Sequence, residues 1–592
     1  MTRRWDVRGL ADGSITETAS DVASKDSTPL LQRLFTARGF TDEDQIRRFC
    51  EPRLTDLHDP TAMCGVEIAS ARLVDAIKNH QHIVIYGDYD VDGITATAIL
   101  YHSIKLASPE AKLNTYVPHR LDEGYGLNAD ALRQLRADGA DLVISVDCGV
   151  TAHDEAQIAK EIGLDLIITD HHHLPPEKAG LPEAFAIVHP GLPNKSGQPY
   201  PFADLCGAGV AFKLAWYFAT LWCGSQRVSK AFQDLLIDLL PLVALGTIAD
   251  VVPLVDENRV LTLFGLRRIK QTPFVGLKAL IEASNLMDES IDCEKVGFVL
   301  GPRLNACGRM GHAREAMKLL TDATPSEAME IATQLDKLNR QRQKTQRDIV
   351  DQAMGLAEDM GMTGDDHRVI VLAHESWHPG VVGIACSRLA EKFGRPVVLM
   401  QKQGDICKGS ARSVDGYSIH DGLESCRDLL TTFGGHEMAA GLSLATTNLD
   451  AFVARLKEHA NANIEVDDLM PSIKIDCDAT LDELDYETVK QIGAMSPFGR
   501  GNRRPTIRIT GAVLAEAPRQ MGAQGKHLSM RIRQDNKGQR RMIRTVWWSE
   551  GARADHIATG MKLDVAIEPK LNTWNGRTNV EAELRDVRVC EI

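Results

Sequence analysis

His82 to Thr95 reads H-I-V-I-Y-G-D-Y-D-V-D-G-I-T, and this stretch restricts what the chain can fold into more than any other. Ile83, Val84 and Ile85 form an apolar, β-branched run ending at Gly87, the pattern of a buried strand. Asp88, Asp90 and Asp92 follow at alternate positions, and Gly93 closes the run in a way that suits a tight turn. Three carboxylates this close repel one another, and a divalent cation offsets that repulsion most directly.

Three other readings compete. An EF-hand loop opens D-x-D-x-D-G but needs a bidentate Glu at its twelfth position, which here is Ile99, and it follows a helix rather than a strand. A haloacid-dehalogenase-like phosphatase would use Asp90 as nucleophile and Asp92 as acid, and a solvated acidic turn would need no ligand. The next stretches decide. Leu142 to Val146 is apolar and leads into Asp147-Cys148-Gly149; Leu166 to Thr169 leads into Asp170-His171-His172-His173. Strands separated by helical stretches predict a parallel, doubly wound sheet, whose ligands sit beyond the carboxyl ends of the strands. All three strands place acids or histidines there. Carboxylates with imidazoles and no thiolate suit Mn²⁺ or Mg²⁺ better than a structural zinc, and the surplus of acids points to two ions sharing a carboxylate.

A chain of 592 residues has room for three or four domains. Its 12 cysteines include no C-x-x-C pair, so neither a zinc ribbon nor a secreted disulfide framework is expected. Met1 to Trp5 is not followed by an apolar signal region, and Leu235 to Leu254 contains Asp238, Pro241, Gly246 and Asp250, as a buried helix would. A cytoplasmic protein with no membrane contact is the expectation. The net charge of -14 does not advertise a nucleic-acid binder, yet from Arg500 to Arg544 twelve Lys and Arg face only Glu516 and Asp535.

Gly87 to Gly93, the V-D-C-G around Asp147, and Asp170-His171-His172 resemble the first motifs of the DHH phosphoesterase superfamily. Gly246 to Pro253 (G-T-I-A-D-V-V-P) is similar to its fourth motif and supplies Asp250. The resemblance implies Asp90, Asp92, Asp147, His171 and Asp250 as ligands of two Mn²⁺ or Mg²⁺ ions, with Asp147 between them. Asp88, Asp170 and His172 become catalytic candidates, His172 at the scissile phosphate. Superfamily pyrophosphatases carry a His four residues before the first ligand Asp; Tyr86 holds that position here, leaving Tyr86 or Asp88 as its replacement.

Later motifs resemble the RecJ branch of the superfamily. They are L-C-G-A-G-V-A from Leu205 and G-P-R-L-N-A-C-G-R-M-G from Gly301. The second reads as a glycine-rich turn presenting Arg303, Asn305 and Arg309 to a phosphate backbone. Thr324, Pro325 and Glu327 form a capping box, predicting one helix to about Asp359 whose polar middle, Asn339 to Arg347, suits a bridge between domains. Beyond it, W-H-P-G-V-V-G with His378, K-G-S-A-R-S with Ser410 and Arg412, and G-G-H-E-M-A-A-G with Gly435 and His436 resemble a DHHA1 domain that binds substrate. Arg120, after the strand ending near Tyr116, would join Ser410 and Arg412 in a 5′-phosphate pocket. The C-terminal residues resemble an OB-type domain, in which Lys526, Arg531, Trp547, Trp548 and Trp574 are candidate contacts to a single strand.

The expected fold is α/β. A helical lead-in (1–80) precedes a parallel-sheet DHH domain (81–320), a connecting helix (321–362), a second α/β DHHA1 domain (363–468) and a β-barrel of OB type (469–592). The resemblance implies a 5′→3′ exonuclease that hydrolyses single-stranded DNA to 5′-mononucleotides in repair and recombination, with a helicase and a single-strand-binding protein as partners. A phosphodiesterase of short oligonucleotides or cyclic dinucleotides and a non-catalytic replication scaffold are the alternatives. The first lacks the basic C-terminal module, and the second has lost acids that this chain keeps. Dehalogenase-like chemistry leaves the D-H-H-H run unexplained.

Overall fold

A computed structural model describes residues 3–8, 28–120, 122–536 and 539–590, in two compact units. The larger spans residues 53–469 with Gly499–Gly501; the smaller holds the N-terminal segment through Pro52, then 470–498 and 502 onward.

In the larger unit the acidic motif follows strand Ile83–Gly87, all five of whose residues are buried. The parallel sheet has the spatial order Leu113–Tyr116, Ile83–Gly87, Leu142–Val146, Asp165–Thr169, Ala186–Val188. Its alternating side chains bury both faces. Ile83 and Ile85 pack with helices Val91–Ala107 and Gly207–Cys223, whereas Val84 and Tyr86 pack with Leu132 and Ala156 on the other side. The strand order reverses between Ile83–Gly87 and Leu142–Val146. Connections diverge to opposite faces at such a point, which opens a crevice beyond the strand ends. Asp88 and Asp147 are the first residues past those two ends.

Helix Lys230–Ala249 is long and apolar enough to cross a bilayer by length and composition, yet Leu239 through Thr247 are all buried in this core. Helix Pro325–Asp359 begins at the expected capping box, Glu327 Oε2 accepting from Thr324 N at 2.9 Å. Its first turns pack Ala328, Ile331, Ala332 and Leu335 into the first core, and its last turns pack Ile349, Ala353 and Ala357 into a second. That second core lies under a mixed sheet ordered Leu430–His436, Ala439–Ala445, Ile406–Arg412, Val397–Gln403, Ile370–His374. The polar middle of the helix spans the interval between the cores.

Residues 1–80 do not form one lead-in. Helix Val66–Lys78 packs on the first sheet, whereas helix Leu30–Ala37 sends Leu30 and Leu34 into the core of the smaller unit; residues 9–27 lie outside those described. Strand Arg4–Val7 pairs in parallel with Ser472–Ile475. Besides helices Glu43–Cys50 and Tyr486–Ala494, the smaller unit holds a seven-stranded sheet that closes on itself where Val513 pairs with Arg533, the barrel expected for the C-terminal module.

Candidate metal centre and phosphate pocket

The chain builds the crevice by folding each acid against a strand end. Asp90 N-caps helix Val91–Ala107, its Oδ1 accepting from Asp92 N (2.9 Å) and Gly93 N (3.1 Å). The turn expected at Gly93 is therefore the first turn of a helix. Glycine is needed there because a Cβ would lie 2.6 Å from Asp88 O and 2.7 Å from Asp88 N. Asn305 adds a second cap, its Oδ1 accepting from Val91 N at 3.1 Å.

Asp92 points into the start of helix Gly207–Cys223 and accepts from Gly207 N (2.5 Å) and Ala208 N (2.9 Å). This is the work of the L-C-G-A-G motif. A Cβ on Gly207 would sit 2.7 Å from Asp147 Oδ1, so the bare glycine separates the two carboxylates. Asp147 itself adopts φ 62°, an uncommon conformation for a non-glycine residue. Asp250 caps the end of helix Lys230–Ala249.

Three overlapping sets of ligand atoms result, the members of each within 4.8 Å of one another: Asp88, Asp90 and Asp147; Asp92, His171 and Asp250; and Asp147, His171 and His172. Asp147 and His171 each appear twice. Asp88, Asp92 and Asp147 are at most 3% exposed. Burial and the neighbouring acids push the Asp88 and Asp147 carboxyls well up, Asp92 to about 6 and Asp250 to about 8. Asp88 Oδ1, Asp147 Oδ1 and His171 Nε2 are buried and make no hydrogen bond, although the last two lie 3.1 Å apart. Each ion in such surroundings costs roughly several kcal/mol without a counter-charge. An oxygen-rich set with one or two imidazoles fits Mn²⁺ or Mg²⁺.

Asp170, expected among the catalytic groups, is fully engaged as an acceptor. Its Oδ1 takes His171 N (2.7 Å), His172 N (3.1 Å) and His172 Nδ1 (2.8 Å), and its Oδ2 takes Val150 N (2.8 Å). It positions the histidines instead. Burial alone would raise its pKa, but the His172 bonds hold it near about 2; burial likewise opposes His172, which Asp170 nevertheless raises to about 9. Burial keeps His171 neutral, near about 3. Tyr86 takes no part: its hydroxyl donates to Gly126 O (3.1 Å) on the far face of the sheet, and Asp88 lies in the cluster. Tyr125 was not anticipated. Its hydroxyl donates to Asp147 O (3.2 Å) and lies 3.2 Å from His172 Nδ1. The signal was an aromatic residue between two glycines, Gly124 and Gly126, both at positive φ.

Arg120, Arg309 and Arg412 converge beside this centre. Arg120 lies 4.9 Å from the centre of the Tyr89 ring, Arg309 reaches Gly380 O at 3.4 Å and Arg412 donates to Ala411 O at 2.8 Å. Burial depresses the Arg309 guanidinium to about 10, helped by Arg120, Arg342 and Arg412; burial and Arg120 lower Arg412. Arg342, on the long helix, is a fourth cation that the sequence did not single out. Gly383 leaves open space beside two of these groups, since a Cβ there would come within 3.2 Å of Ser410 Oγ and 3.5 Å of Arg412 Nη2. Guanidiniums massed at one place are an anion site.

The remaining candidates divide at this level of detail. The Gly301 motif is not a turn but helix Gly301–Met310, and Arg303 is held in an ion pair with Asp336 (2.8 Å), turned from the crevice. His378 caps helix Pro379–Phe393, its Nδ1 accepting from Gly380 N at 3.1 Å. Gly435 is dictated by a β-hairpin, where a Cβ would meet Ala439 O at 2.4 Å; exposed His436 stacks edge-on at 4.8 Å with His173. In the smaller unit Trp547 is 4% exposed and belongs to the core, whereas Trp574 is 74% exposed at a hairpin tip. Lys526 is exposed, and Arg531 pairs loosely with Glu516 at 3.3 Å.

The raised carboxyls carry a consequence for stability. Between about pH 4 and pH 8 the folded protein holds protons that the unfolded chain releases, so metal-free stability falls as pH rises through that window. Mn²⁺ should therefore raise Tm more at pH 8 than at pH 5 in calorimetry. An equal gain at both pH values would argue that the cluster is not where the ion binds.

Comparison with known proteins finds relatives over most of the chain. The DHH family N-terminal domain matches residues 82–247, the DHHA1 domain 366–462 and the RecJ OB domain 475–586. The single-stranded-DNA-specific exonuclease RecJ of Bacillus subtilis (strain 168) is 38% identical over 566 residues, covering 95% of this chain and 68% of that protein. The crystal structure of Thermus thermophilus RecJ with Mn²⁺ superposes with a TM-score of 0.78 at 29% identity, covering 100% of this chain and 80% of that one. The same protein with Mg²⁺ gives 0.72 at 28% identity, over 100% and 79%.

Proposed function

This chain belongs to the RecJ family of single-stranded-DNA-specific exonucleases, and we propose on that premise that it digests single-stranded DNA from the 5′ end to 5′-mononucleotides, at a centre of two Mn²⁺ or Mg²⁺ ions, in DNA repair and recombination. The observation that carries this reading is the meeting, in one crevice, of the three acid–histidine sets with Arg120, Arg309 and Arg412.

Asp90, Asp92, Asp147, His171 and Asp250 would hold the ions, with Asp88 as a further ligand of the set containing Asp90 and Asp147. When bound, the ions supply an activated water and neutralise charge building on the phosphate oxygens. The protein supplies the rest. His172, kept charged by Asp170 and steadied by Tyr125, offers a hydrogen bond to the scissile phosphate. Arg120, Arg309, Arg412 and Ser410 hold the terminal 5′-phosphate, which carries more charge than an internal diester. The spacing between that pocket and the residues that would hold the metals would fix the cut after one nucleotide. A helicase and a single-strand-binding protein would deliver the single strand, and the setting would be the cytoplasm.

The decisive assay is metal-dependent release of 5′-mononucleotides from a long 5′-phosphorylated single strand. Activity confined to dinucleotides or cyclic dinucleotides would replace this reading with that of a small phosphodiesterase.

The barrel's part is tested in the full chain. Removing 470–592 would strand Leu30 and Leu34 without their core, so charge and aromatic substitutions are cleaner. Lys526→Glu with Trp574→Ala should raise KM about tenfold with little change in kcat, since base stacking is worth about 1–3 kcal/mol. It should also lower the salt slope of DNA binding by about one. An unchanged KM and slope would make these residues bystanders.

A further inference from the structure

Pro497 to Asn502 reads P-F-G-R-G-N, and its central Gly499–Gly501 belongs with the larger unit, although its neighbours on both sides do not. The attachment is tight. Leu254 N donates to Arg500 O at 2.7 Å, and a Cβ on Gly499 would lie 2.7 Å from Leu254 Cδ1. Gly501 has φ +73° and a Cβ there would come 3.0 Å from Pro253 Cβ. The left-handed φ of Gly501 and its close approach to Pro253 require a glycine there, Gly499 leaves room for the Leu254 side chain, and Arg500 stands between them. Its side chain is exposed, its one recorded bond among the described residues is a long one to Val251 O (3.5 Å), and its charge acts on Asp250.

The residues around that carboxylate are unusual. Val251 is β-branched yet sits at φ 61° and is 57% exposed, a conformation that such side chains rarely tolerate. Against the preceding turn lies a π-helix, Val296–Leu300, a form often found at functional sites. A Cβ on Gly297 would be 3.9 Å from Ile248 Cγ2, and one on Gly301 would be 3.8 Å from Ala249 Cβ. Between those two contacts the π-turn presents Phe298, 69% exposed. Among the described residues this large aromatic joins none of the buried clusters, and the turn that carries it packs on the two residues before Asp250.

The cations also have an order along the crevice. Arg120 lies over the ring of Tyr89, between Asp88 and Asp90 of one ligand set, whereas Arg500 reaches Val251 O, beside Asp250 of another. If the 5′-terminal phosphate occupies the Arg120 side and the scissile phosphate the metals, the strand must leave past the Arg500 side. We propose that Arg500 and Phe298 form a subsite for the DNA on the 3′ side of the cut, Arg500 holding the next internucleotide phosphate and Phe298 stacking on a base. The inference rests on the reading of this protein as a single-strand exonuclease. It assigns Arg500, within the larger unit, to the chemistry of that unit.

The test uses the full-length protein and two short substrates. A 5′-phosphorylated dinucleotide ends before the phosphate that Arg500 would hold, and a trinucleotide includes it. In Arg500→Gln the ratio of kcat/KM on trinucleotide to that on dinucleotide should fall about tenfold, the scale of a lost charge-assisted hydrogen bond. Replacing the second linkage of the trinucleotide by an uncharged methylphosphonate should cost the wild type a similar factor and cost Arg500→Gln little more. Phe298→Ala should lose about fivefold or more on the trinucleotide, and less when its second and third nucleotides are abasic. Equal losses on both lengths for Arg500→Gln, or equal losses with and without bases for Phe298→Ala, would overturn the subsite. A wild type that hydrolyses neither substrate nor a longer strand would overturn the exonuclease reading beneath it.

Discussion

Asp147→Ala should lower kcat by about a thousandfold or more, the scale seen when a group that organises transition-state charge is removed, while leaving the protein folded. The effect is large because Asp147 occurs in two of the three ligand sets and its Oδ1 faces His171 Nε2 at 3.1 Å without bonding to it. Losing it would disconnect the Asp88–Asp90 side of the centre from the Asp92–Asp250 side. The fold should survive because removing one of several buried like charges relieves repulsion in the metal-free state. Calorimetric titration with Mn²⁺ distinguishes a lost ligand from a lost fold: weaker binding with an unchanged or higher Tm is expected. Near-normal turnover in saturating Mn²⁺ would remove Asp147 from the centre.

Arg412→Ala should abolish most of the preference for 5′-phosphorylated over 5′-hydroxyl ends, by about ten- to a hundredfold in kcat/KM, as for a buried charge-assisted bond. Arg412 is held beside Arg120 and Arg309 at some energetic cost, and that repulsion is relieved only by an anion. On 5′-hydroxyl strands the variant should differ far less from wild type. Arg120→Ala should give a weaker version of the same result, because Arg120 is also engaged with the Tyr89 ring. A phosphate preference intact in both variants would refute the pocket and leave the metal centre untouched.

The acids were legible in the sequence because each stands immediately after an apolar run. A strand end followed by a carboxylate is a local pattern, and a parallel sheet brings such ends together whatever the intervening residues do. Alternation puts Tyr86 with Val84 on the face away from helix Val91–Ala107, whereas Asp88 stands past the strand end, where alternation no longer decides direction. The arginines were harder. Gly301, Pro302, Gly308 and Gly311 read as a turn, in which Arg303 and Arg309 could share one phosphate. In a helix, six residues place them on different faces, so one meets Asp336 and the other enters the crevice. Trp547 and Trp548 part in a similar way at a strand end, the last strand residue 4% exposed and the turn residue after it 46% exposed. What the sequence could not supply was long-range pairing. Nothing near Leu30 reveals that its partners lie beyond residue 470.

That pairing governs when the protein can finish folding. Arg33 donates to Asp478 O across 445 residues of chain, and Trp5 bonds Asp586 across 581. A ribosome adding roughly 5–20 residues per second leaves helix Leu30–Ala37 waiting on the order of tens of seconds before its core exists. Throughout that interval Leu30, Leu34 and Phe35 are a sticky segment on the nascent polypeptide. Chaperone dependence, and loss of yield when translation stalls between Asp478 and Leu584, should both trace to this one helix.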